Sequence, residues 1–516
     1  MSFLNQSGDL SPFTEVVPES AKLGGLTKSS ILTQRRRCRI VPQTGSTYGS
    51  NSAGTGAGNS QIQFLIADQG GLIDMRSVVL NYTLSTAGTA AVPDDGHPFT
   101  TVQVLMNGQL MDNIQNAMKL TNIEMKAGGS KSYYQSAGSF QGFELLNNDL
   151  TSGLTAAVTG TITGNTTTVG TANGLTLTSG VTGGLSAWGY VANNLADITA
   201  RTTRAAAALN NNTRGETRSI PLGLVSGVGR MKTYLPIALT GELSLVLITG
   251  SPGEVMFQAG TAADCNYSLA NVSLEYDIVV PDQRYMSLLQ KIASDPSDAG
   301  LNIPFESSIV TAGASIAASA SALTENTVIV SRATNHLLRA HIVQIPTTLL
   351  QSQNYPSQSC FGHAGLFSYQ FRIGSQVYPQ VATQGDASMF NTSLAAYGSV
   401  SQENGSLINR ALWAIATDMG TTPGTIKVYE TAEGGASTTA VKFGFADSCI
   451  PSYGFQTVKG GSEPLDVDGV SLAGASGSQL IASLISAPSV AYTPFIALVA
   501  LKFLKASGGA VMVVGA

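Results

Sequence analysis

Few residues in this chain are of the types that carry chemistry, and their spacing matches no common catalytic or metal site. The chain has four histidines: His97, His336, His341 and His363. None of them lies in an HExxH pattern or beside a cysteine pair, which argues against a zinc site. No serine lies in the GxSxG turn that presents a hydrolase nucleophile. The sequence therefore predicts no catalytic residue, no cofactor and no metal, and hence no enzyme.

The carboxylates are sparse and dispersed along the chain. The stretch "PDDGHP" at 93–98 has the composition of a turn rather than of an acid/base pair. A β-sandwich glycosidase would need two carboxylates that converge in one cleft. No such pair is evident, so a glycosidase is a weak alternative.

The densest run of charge is "RRRCR", which contributes Arg35, Arg36, Arg37 and Arg39. It follows a polar, Gly- and Ser-rich segment without periodicity, and we assign residues 1–42 to an N-terminal arm. Four guanidinium groups on an arm are a candidate site for contact with phosphates of a genome or with anionic lipid head groups of a membrane. The alternative is a solvated patch that pairs with acids of another subunit, and the sequence leaves both readings open.

The composition indicates a β-rich protein with many loops. Only 11% of the 516 residues are charged, against roughly 25% in an ordinary soluble domain. Glycine, Ser, Thr, Ala and Asn take the place of the Lys and Glu that favour helices. A surface so poor in charge suggests that other subunits cover much of it, and a secreted Thr/Ser-rich β protein is the alternative. The net charge of −5 is too small to imply nucleic-acid binding by the body of the chain.

The cysteine pattern and the start of the sequence suggest a reducing compartment. The four cysteines are scattered singly: Cys38, Cys265, Cys360 and Cys449. We expect them to be unpaired. The first residues, "MSFLNQSGDLSPF", lack the basic and apolar regions of a secretory signal. The apolar tract "PFIALVALKFLKASGGAVMVVGA" contains two lysines and predicts a strand buried on both faces rather than a membrane span.

Two segments share one outline, a strand, a Gly-containing turn and a second strand. The first is "FTTVQVLMNGQLMDNI" at 99–114, where Asn107-Gly108 is a strong hairpin signal. The second is "SYQFRIGSQVYPQV" at 368–381, in which apolar and polar residues alternate until Gly374. A helix-like pattern follows each hairpin, and each half of the chain closes on an apolar strand. The repeated outline predicts two similar β-sandwiches in tandem.

The domain organisation follows from this repeat. After the arm we expect a first sandwich at 43–285, with an insertion at about 127–215, and a second sandwich at 286–516, with a loop insertion at about 400–440. The stretch 151–196 contains no charged residue and is either an extended loop ordered by neighbours or a disordered insert. Its Asn165-Thr-Thr, and the nearby Asn211-Asn-Thr, match glycosylation sequons and are most simply explained as chance matches.

Several segments, in their order, resemble the double jelly-roll major capsid proteins of the lineage that includes tectivirus-like phages, adenoviruses, virophages and large algal viruses. The segments are "GGLIDMRSVVLNYTLS", "HPFTTVQVLMNGQLMDNIQN", "RSIPLGL" with "MKTYLPIALTGELSLVL", "NVSLEYDIVV" with "PDQRYMSLL", and "YQFRIGSQVYP". The resemblance covers roughly residues 60–505, and the 151–215 insert has no counterpart. The fold class that it implies is all-β, with two tandem eight-stranded jelly rolls, short helices and long loop insertions.

The resemblance also implies a function and partners. The chain would be a major capsid protein, found in the virion after synthesis and assembly in the host cell. Its partner would be itself, as a homotrimer with six barrels in a pseudo-hexagonal capsomer and then as an icosahedral lattice. Penton and minor capsid proteins would join the lattice, the arm would contact an internal membrane or the genome, and the outer loops would contact a host receptor. The alternative is an extracellular adhesin or carbohydrate-binding β protein, which the missing signal and the unpaired cysteines disfavour.

Overall fold

The computed structural model describes most of the chain between residue 33 and residue 514. The described ranges are 33–49, 60–128, 216–257, 266–294, 301–318, 323–347, 366–396, 450–455, 469–472, 479–486 and 491–514, with gaps of one to a few residues in several of them, and a few isolated positions elsewhere. The strand pieces at 169–172 and 175–177 are described by their backbone.

The first unit contains eight long strands. They are β1 (Thr33–Ile40), β2 (Gln61–Ile66), β3 (Leu72–Ala87), β4 (Phe99–Met106), β5 (Gln109–Gln115), β6 (Glu216–Pro221), β7 (Leu243–Thr249) and β8 (Asn266–Pro281). One sheet has the order β1-β8-β3-β6, and the other has the order β2-β7-β4-β5. All pairs are antiparallel. Counted within the unit, the orders 1-8-3-6 and 2-7-4-5 are those of a jelly roll.

The second unit repeats this order with eight further strands. They are β9 (Leu301–Ala312), β10 (Thr324–Ser331), β11 (Leu337–Pro346), β12 (Leu366–Ile373), β13 (Gln376–Gln384), β14 (Ser452–Gly454), β15 (Gln479–Ser486) and β16 (Tyr492–Ser507). The sheets are β9-β16-β11-β14 and β10-β15-β12-β13, again antiparallel throughout. The prediction of an all-β fold with two tandem eight-stranded jelly rolls is therefore confirmed.

Three longer helices and several short elements complete the described fold. The helices are α1 (Ala117–Gly128), α2 (Gln283–Ser294) and α3 (Asp386–Ala396). Single helical turns span Leu222–Val225, Gly227–Arg230, Ile237–Thr240 and Pro252–Val255. Short strands span Thr47–Gly49, Val92–Pro93, Val169–Ala172, Leu175–Leu177, Leu235–Pro236, Met256–Phe257 and Ala510–Val514. Helix α1 follows β5 directly, and α3 follows β13 in the same way, so the helices belong to the repeat.

The turn chemistry explains why the chain reverses between β4 and β5. Asn107 has φ 47° and Gly108 has φ 75°, the left-handed pair that a two-residue hairpin turn requires and that Asn-Gly adopts at low cost. In the second unit Gly374 has φ 59° at the matching turn between β12 and β13. The strand–turn–strand pattern of both segments is therefore realised as a hairpin.

The structure differs from the predicted arm at residues 33–40, which form β1 and pair with β8 along their whole length. Residues 1–32 lie outside the described part of the chain. The sequence pattern does not predict this strand, because arginines interrupt its alternation and it has just two apolar residues, Cys38 and Ile40, which pack against the core while partly buried. Pairing with a neighbouring strand, rather than its own pattern, makes this segment a strand.

Both predicted insertions fall largely outside the described residues. In the first unit this applies to 129–215, apart from a few isolated positions and the backbone of the two short strands at 169–177. In the second unit it applies to 397–449. The boundary that we placed between residues 285 and 286 falls within α2, which connects the end of β8 to the start of β9.

The stretch "SYQFRIGSQVYPQV" forms most of β12, the turn and most of β13, and it contributes to the aromatic core of the second unit. Phe371 is fully buried, with its ring centroid 5.7 Å from that of Tyr369 and 5.8 Å from that of Phe455. Tyr378 reaches the same cluster from β13, with its ring 5.5 Å from that of Phe455. Edge-to-face aromatic contacts of this kind stabilise a core beyond the burial of their area.

We expect Phe371→Ala to lower the stability of the folded protein by about 3–5 kcal/mol, because it removes a fully buried ring and leaves a cavity. The measurement is the midpoint of urea denaturation. The matched control is Phe367→Ala on the same strand, where the side chain is 46% exposed and little change is expected. Equal losses in the two variants would contradict the assigned strand orientation.

Candidate functional site

The described residues contain no group of three or more His, Cys, Asp or Glu side chains placed to hold a metal ion. The two buried histidines make hydrogen bonds within the fold instead. His97 Nε2 lies 2.8 Å from Thr121 Oγ1, and His341 Nδ1 lies 2.7 Å from Ser452 Oγ. Burial lowers the pKa of both imidazoles from 6.5 to about 3, with a further contribution from a nearby arginine. Both are therefore neutral at neutral pH and serve as core polar groups.

The four arginines singled out in the sequence all lie on β1 and are exposed: Arg35, Arg36, Arg37 and Arg39. Strand alternation places residues 35, 37 and 39 on the outer face of the sheet β1-β8-β3-β6. We call this surface the arginine face and define it by β1 with the acids Asp74, Glu275 and Asp277 beside it.

Ion pairs on the arginine face join Arg35 and Arg37 to the neighbouring acids, and Arg76 also pairs with Asp74. Arg35 Nη2 lies 2.6 Å from Asp277 Oδ2 and 3.5 Å from Asp74 Oδ2. Arg37 Nη2 donates to Glu275 Oε2 at 2.9 Å. The arginine side chains are 56% and 54% exposed, whereas those of Asp74 and Asp277 are about 10% exposed. Contact of these arginines with a membrane or genome stays a prediction, and the acids beside them weaken it.

A second charged cluster lies where the two jelly rolls meet. Arg230 of the first unit pairs with Glu306 of the second at 3.0 Å and with Glu124 of α1. Arg339 of the second unit pairs with Glu306 at 3.1 Å and with Glu124 at 3.8 Å. Each unit contributes one arginine and one glutamate, so the charges balance across the contact.

These pairs shift the ionisation of Glu306. Burial by itself would raise the pKa of its carboxyl group, but the charges of Arg339 and Arg230 outweigh burial and lower the pKa from 4.5 to about 2. Glu306 is therefore a carboxylate at neutral pH. A carboxylate held between two guanidinium groups forms the strong, charge-assisted type of hydrogen bond.

A polar junction next to this cluster joins β5 to β9. Asp112 is buried and accepts hydrogen bonds from Ser226 Oγ at 2.7 Å and from Ser307 Oγ at 2.9 Å. Ser226 belongs to the first unit and Ser307 to the second, so one carboxyl group connects both. Burial raises the pKa of Asp112, and the two serine hydrogen bonds oppose that rise.

Close backbone and apolar packing complete the contact between the units. A Cβ at Gly227 would lie 2.7 Å from the carbonyl carbon of Glu306, so only glycine permits this approach. Lys119 Nζ of α1 lies 4.7 Å from the ring centroid of Phe495 on β16. The apolar core of the first unit continues into the second through Val343, Phe495 and Ala497.

The four charged residues of this contact could not be predicted from the sequence. Glu124, Arg230, Glu306 and Arg339 are far apart in the chain and belong to no motif. The only related signal was the prediction that the C-terminal apolar strand is buried on both faces. That prediction is confirmed for the first ten residues of β16, all of which are buried.

The edge strands of the two units are covered unequally. Strands β5 and β9 are edge strands that face each other at the contact between the units. Strands β13 and β1 are the corresponding edges on the outer sides. On β13, Val381 is 81% exposed and Val377 is 38% exposed. An exposed edge strand with apolar side chains is a surface that promotes pairing with another chain.

No helix among the described residues is long and apolar enough to cross a membrane. Of the four cysteines only Cys38 lies in the described part of the chain, on β1. The other three fall outside it, so the prediction that the cysteines are unpaired stays a prediction.

We expect Gly227→Ala to loosen the contact between the units, because its methyl group would overlap the backbone of Glu306. Hydrogen exchange should accelerate at the amides of β5 and β9. The matched control is Gly71→Ala, whose Cβ would lie 2.5 Å from Ile278 Cγ2 within the first unit. This control should destabilise the first unit without a selective effect on β9. Unchanged exchange at β9 in Gly227→Ala would contradict the described packing.

We expect Glu306→Gln to lower stability at pH 7 by about 1–3 kcal/mol, because it leaves Arg339 and Arg230, whose side chains are 12% and 33% exposed, with Glu124 as their remaining acidic partner. The pKa of Glu306 is lower in the folded than in the unfolded protein, so its stabilising effect is complete above pH 4.5 and is lost as the pH falls towards 2. The stability difference between wild type and variant should therefore shrink over that interval. Urea denaturation at pH 7, 4 and 3 measures it, with Glu325→Gln on the exposed face of β10 as control.

Comparisons with known proteins agree with the strand order. No family model matches the sequence, and no curated protein is similar to it in sequence. Among solved structures, VP54 of the virus PBCV-1, fitted into a reconstruction of the virophage Sputnik, is 11% identical over 95% of this chain and 99% of that chain, with a TM-score of 0.52.

Two further solved structures have lower scores. The Faustovirus major capsid protein is 9% identical over 93% of this chain and 92% of its own, with a TM-score of 0.48. The Sputnik virophage structure is 14% identical over 95% of this chain and 90% of its own, with a TM-score of 0.47. At such identities a likeness shows the fold alone. The repeated strand order shows a double jelly-roll fold, and the likeness to VP54 shows that the two proteins share their overall fold.

Proposed function

We propose that this chain is a viral major capsid protein, a structural subunit rather than an enzyme. The observation that carries the proposal is that the two jelly rolls are joined into one block. Ion pairs, the carboxyl group of Asp112 and a continuous apolar core all connect the two units. A contact of this kind fixes the angle between the barrels, which a tile of a closed shell requires. The fold likeness and the low charge of the sequence support the same function.

The finer form of the proposal is a homotrimer. Three copies would place six barrels around one axis and form a pseudo-hexagonal capsomer, and capsomers would form an icosahedral lattice. The interfaces between copies would be heterologous, because different surfaces of the two units meet around the ring. Penton and minor capsid proteins would be further partners, and the virion would be the site of action.

The ends of the barrels give the tile a polarity. At one end, β1 begins opposite the end of β8, with Thr33 paired to Pro281, and β9 begins opposite the end of β16, with Leu301 near Ser507. Helix α2 links these two sites, and the C-terminal strand Ala510–Val514 returns beside β16. We call this end the base. Both termini of the described chain therefore lie at the base.

The long insertions re-enter the barrels from the opposite end. Strand β6 begins at Glu216, which pairs with Leu84 near the end of β3 that is remote from the base. Strand β14 begins at Ser452, opposite His341 in the middle of β11, and runs from there towards the base, with Gly454 opposite Arg339. We propose that the base faces the virion interior, where residues 1–32 would contact a membrane or the genome. The insertions would face outward, where a host receptor could contact them.

The test is the mass and shape of the purified full-length protein. Light scattering coupled to gel filtration should give three times the mass of one chain, and negative-stain images should show particles with a hexagonal outline and threefold symmetry. An obligate interface of this type buries well over about 2,000 Å², so the trimer should persist at micromolar concentration. A stable monomer at that concentration would refute the proposal.

A further inference from the structure

Strand β14 completes one sheet of the second unit at the point where the chain returns from residues 397–449. It is three residues long, and among the described strands it pairs with β11 alone. Backbone hydrogen bonds continue on both sides of it: the amide of Ile342 donates to the carbonyl of Pro451 at 2.8 Å, and the amide of Phe455 donates to that of Leu338 at 2.7 Å. An edge strand this short has few backbone bonds, so side-chain contacts matter for its position.

A buried contact between a histidine and a serine joins β14 to β11. His341 and Ser452 lie opposite each other, and neither side chain is exposed. His341 Nδ1 lies 2.7 Å from Ser452 Oγ. Ser452 Oγ donates its one proton to the carbonyl of Ile450 at 2.9 Å, so it accepts a hydrogen bond from the imidazole. Neutral His341 therefore carries its proton on Nδ1 and has none on Nε2.

The same serine joins β14 to helix α3. The amide of Ser452 donates to Ser393 Oγ of α3 at 3.0 Å. A Cβ at Gly454 would lie 2.9 Å from the Cα of Ala396, so the end of α3 packs directly on β14. We call His341, Ser452 and Ser393 the latch. A displacement of β14 from β11 would also remove the hydrogen bond that the latch provides to α3.

We propose that the latch is acid-sensitive, and that a proton taken up by Nε2 of His341 separates β14 from β11 and releases β14 and α3 from the second barrel. The inference concerns a conformational change within one chain and does not rest on the proposed capsid function. It gives a role to one of the two buried histidines.

The face of the sheet on which His341 lies does not compensate a further positive charge. Strand alternation places His341 on the same face as Val343 and Ile345, which join the first core, so this face packs on the first unit. The described side chains of β14 and α3 are uncharged. The described charged groups on this face are Arg339 and Glu306 of the second unit and Arg230, Glu124 and Lys119 of the first. Three cations thus already face two carboxylates.

The ionisation of His341 reflects this environment. Burial lowers its pKa, Arg339 and Arg230 lower it further and Glu306 opposes them, so that the pKa falls from 6.5 to about 3. When β14 has moved away, water reaches the imidazole and the pKa returns to about 6.5. The closed latch is therefore fully favoured above pH 6.5, and this preference is lost as the pH falls from 6.5 towards 3. Over that interval each pH unit favours the open state by about a further factor of ten.

The other buried histidine lies in a different setting. His97 Nε2 is 2.8 Å from Thr121 Oγ1 of α1, and His97 Nδ1 accepts a hydrogen bond from the amide of Phe99 at 3.3 Å. Phe99 begins β4, which has a neighbouring strand on each side. A proton reaches His97 only if α1 and a central strand separate, whereas His341 is held by a three-residue edge strand. We therefore expect the acid-induced opening to be local to β14 and α3.

The first test measures hydrogen exchange of the purified full-length protein at pH 7, 6, 5 and 4, with rates corrected for the intrinsic effect of pH. Peptides that contain residues 450–455 should exchange about tenfold faster for each pH unit below 6.5. Peptides from β7 in the first unit should keep their protection. Exchange at 450–455 that does not depend on pH would overturn the proposal, as would an equal acceleration in all peptides.

The second test removes the titration but keeps the hydrogen bond. The amide nitrogen of the variant His341→Asn can take the place of Nδ1 and donate to Ser452 without gaining a proton, so the pH dependence at 450–455 should disappear. The matched control is His97→Gln, whose amide nitrogen can take the place of Nε2 and which should retain the pH dependence. Thermal unfolding at pH 7 verifies the fold of both variants. A pH dependence that persists in His341→Asn would overturn the proposal.

A third variant tests the latch by a different route, and it applies also if His341→Asn does not fold. Ser452→Ala removes the acceptor of the imidazole proton and keeps the histidine. Exchange at 450–455 should be faster than in the wild type already at pH 7, and it should still accelerate as the pH falls. Exchange equal to that of the wild type at pH 7 would show that the contact does not hold β14, and would overturn the proposal.

Discussion

The structure depends on one sheet that is buried on both faces. The sheet β9-β16-β11-β14 closes the second jelly roll with its inner face, where Ile496 and Leu498 join the second core. Its outer face packs on the first unit, where Phe495 and Ala497 join the first core. Because successive strand residues point to opposite faces, one apolar strand can serve both cores. The two barrels are therefore joined by a shared layer rather than by a linker alone.

Burying such a sheet removes polar groups from water as well as apolar ones. These polar groups need partners inside the protein. The charged groups find them in a balanced cluster, to which each unit supplies one arginine and one glutamate. In addition, the carboxyl group of Asp112 accepts hydrogen bonds from one serine of each unit. Removing a single partner would leave the remaining, partly buried charges undercompensated, which costs more than the net gain from the pair itself. The angle between the barrels therefore depends on these ion pairs and hydrogen bonds, which few substitutions would preserve.

The repeat explains why edges matter in this protein. A jelly roll joins two sheets but leaves edge strands on each, and an uncovered edge promotes uncontrolled pairing. One edge of each unit is covered inside the chain. The other edges retain exposed valines on β13 and paired arginines on β1. The scarcity of charge elsewhere in the sequence is consistent with surfaces that are covered after folding.

The sequence by itself determined the strand-rich fold, the repeat and the buried C-terminal strand. It also determined the two hairpins at Asn107-Gly108 and Gly374. These features could be predicted because composition, turn residues and the alternation of apolar and polar residues are local properties of the chain. It did not determine that residues 33–40 form a strand, since arginines on both faces hide the alternation and pairing with β8 supplies the order. Nor could it identify the contact of Glu124, Arg230, Glu306 and Arg339. Those residues share no spacing, and only the packing of one barrel on the other brings their charges together.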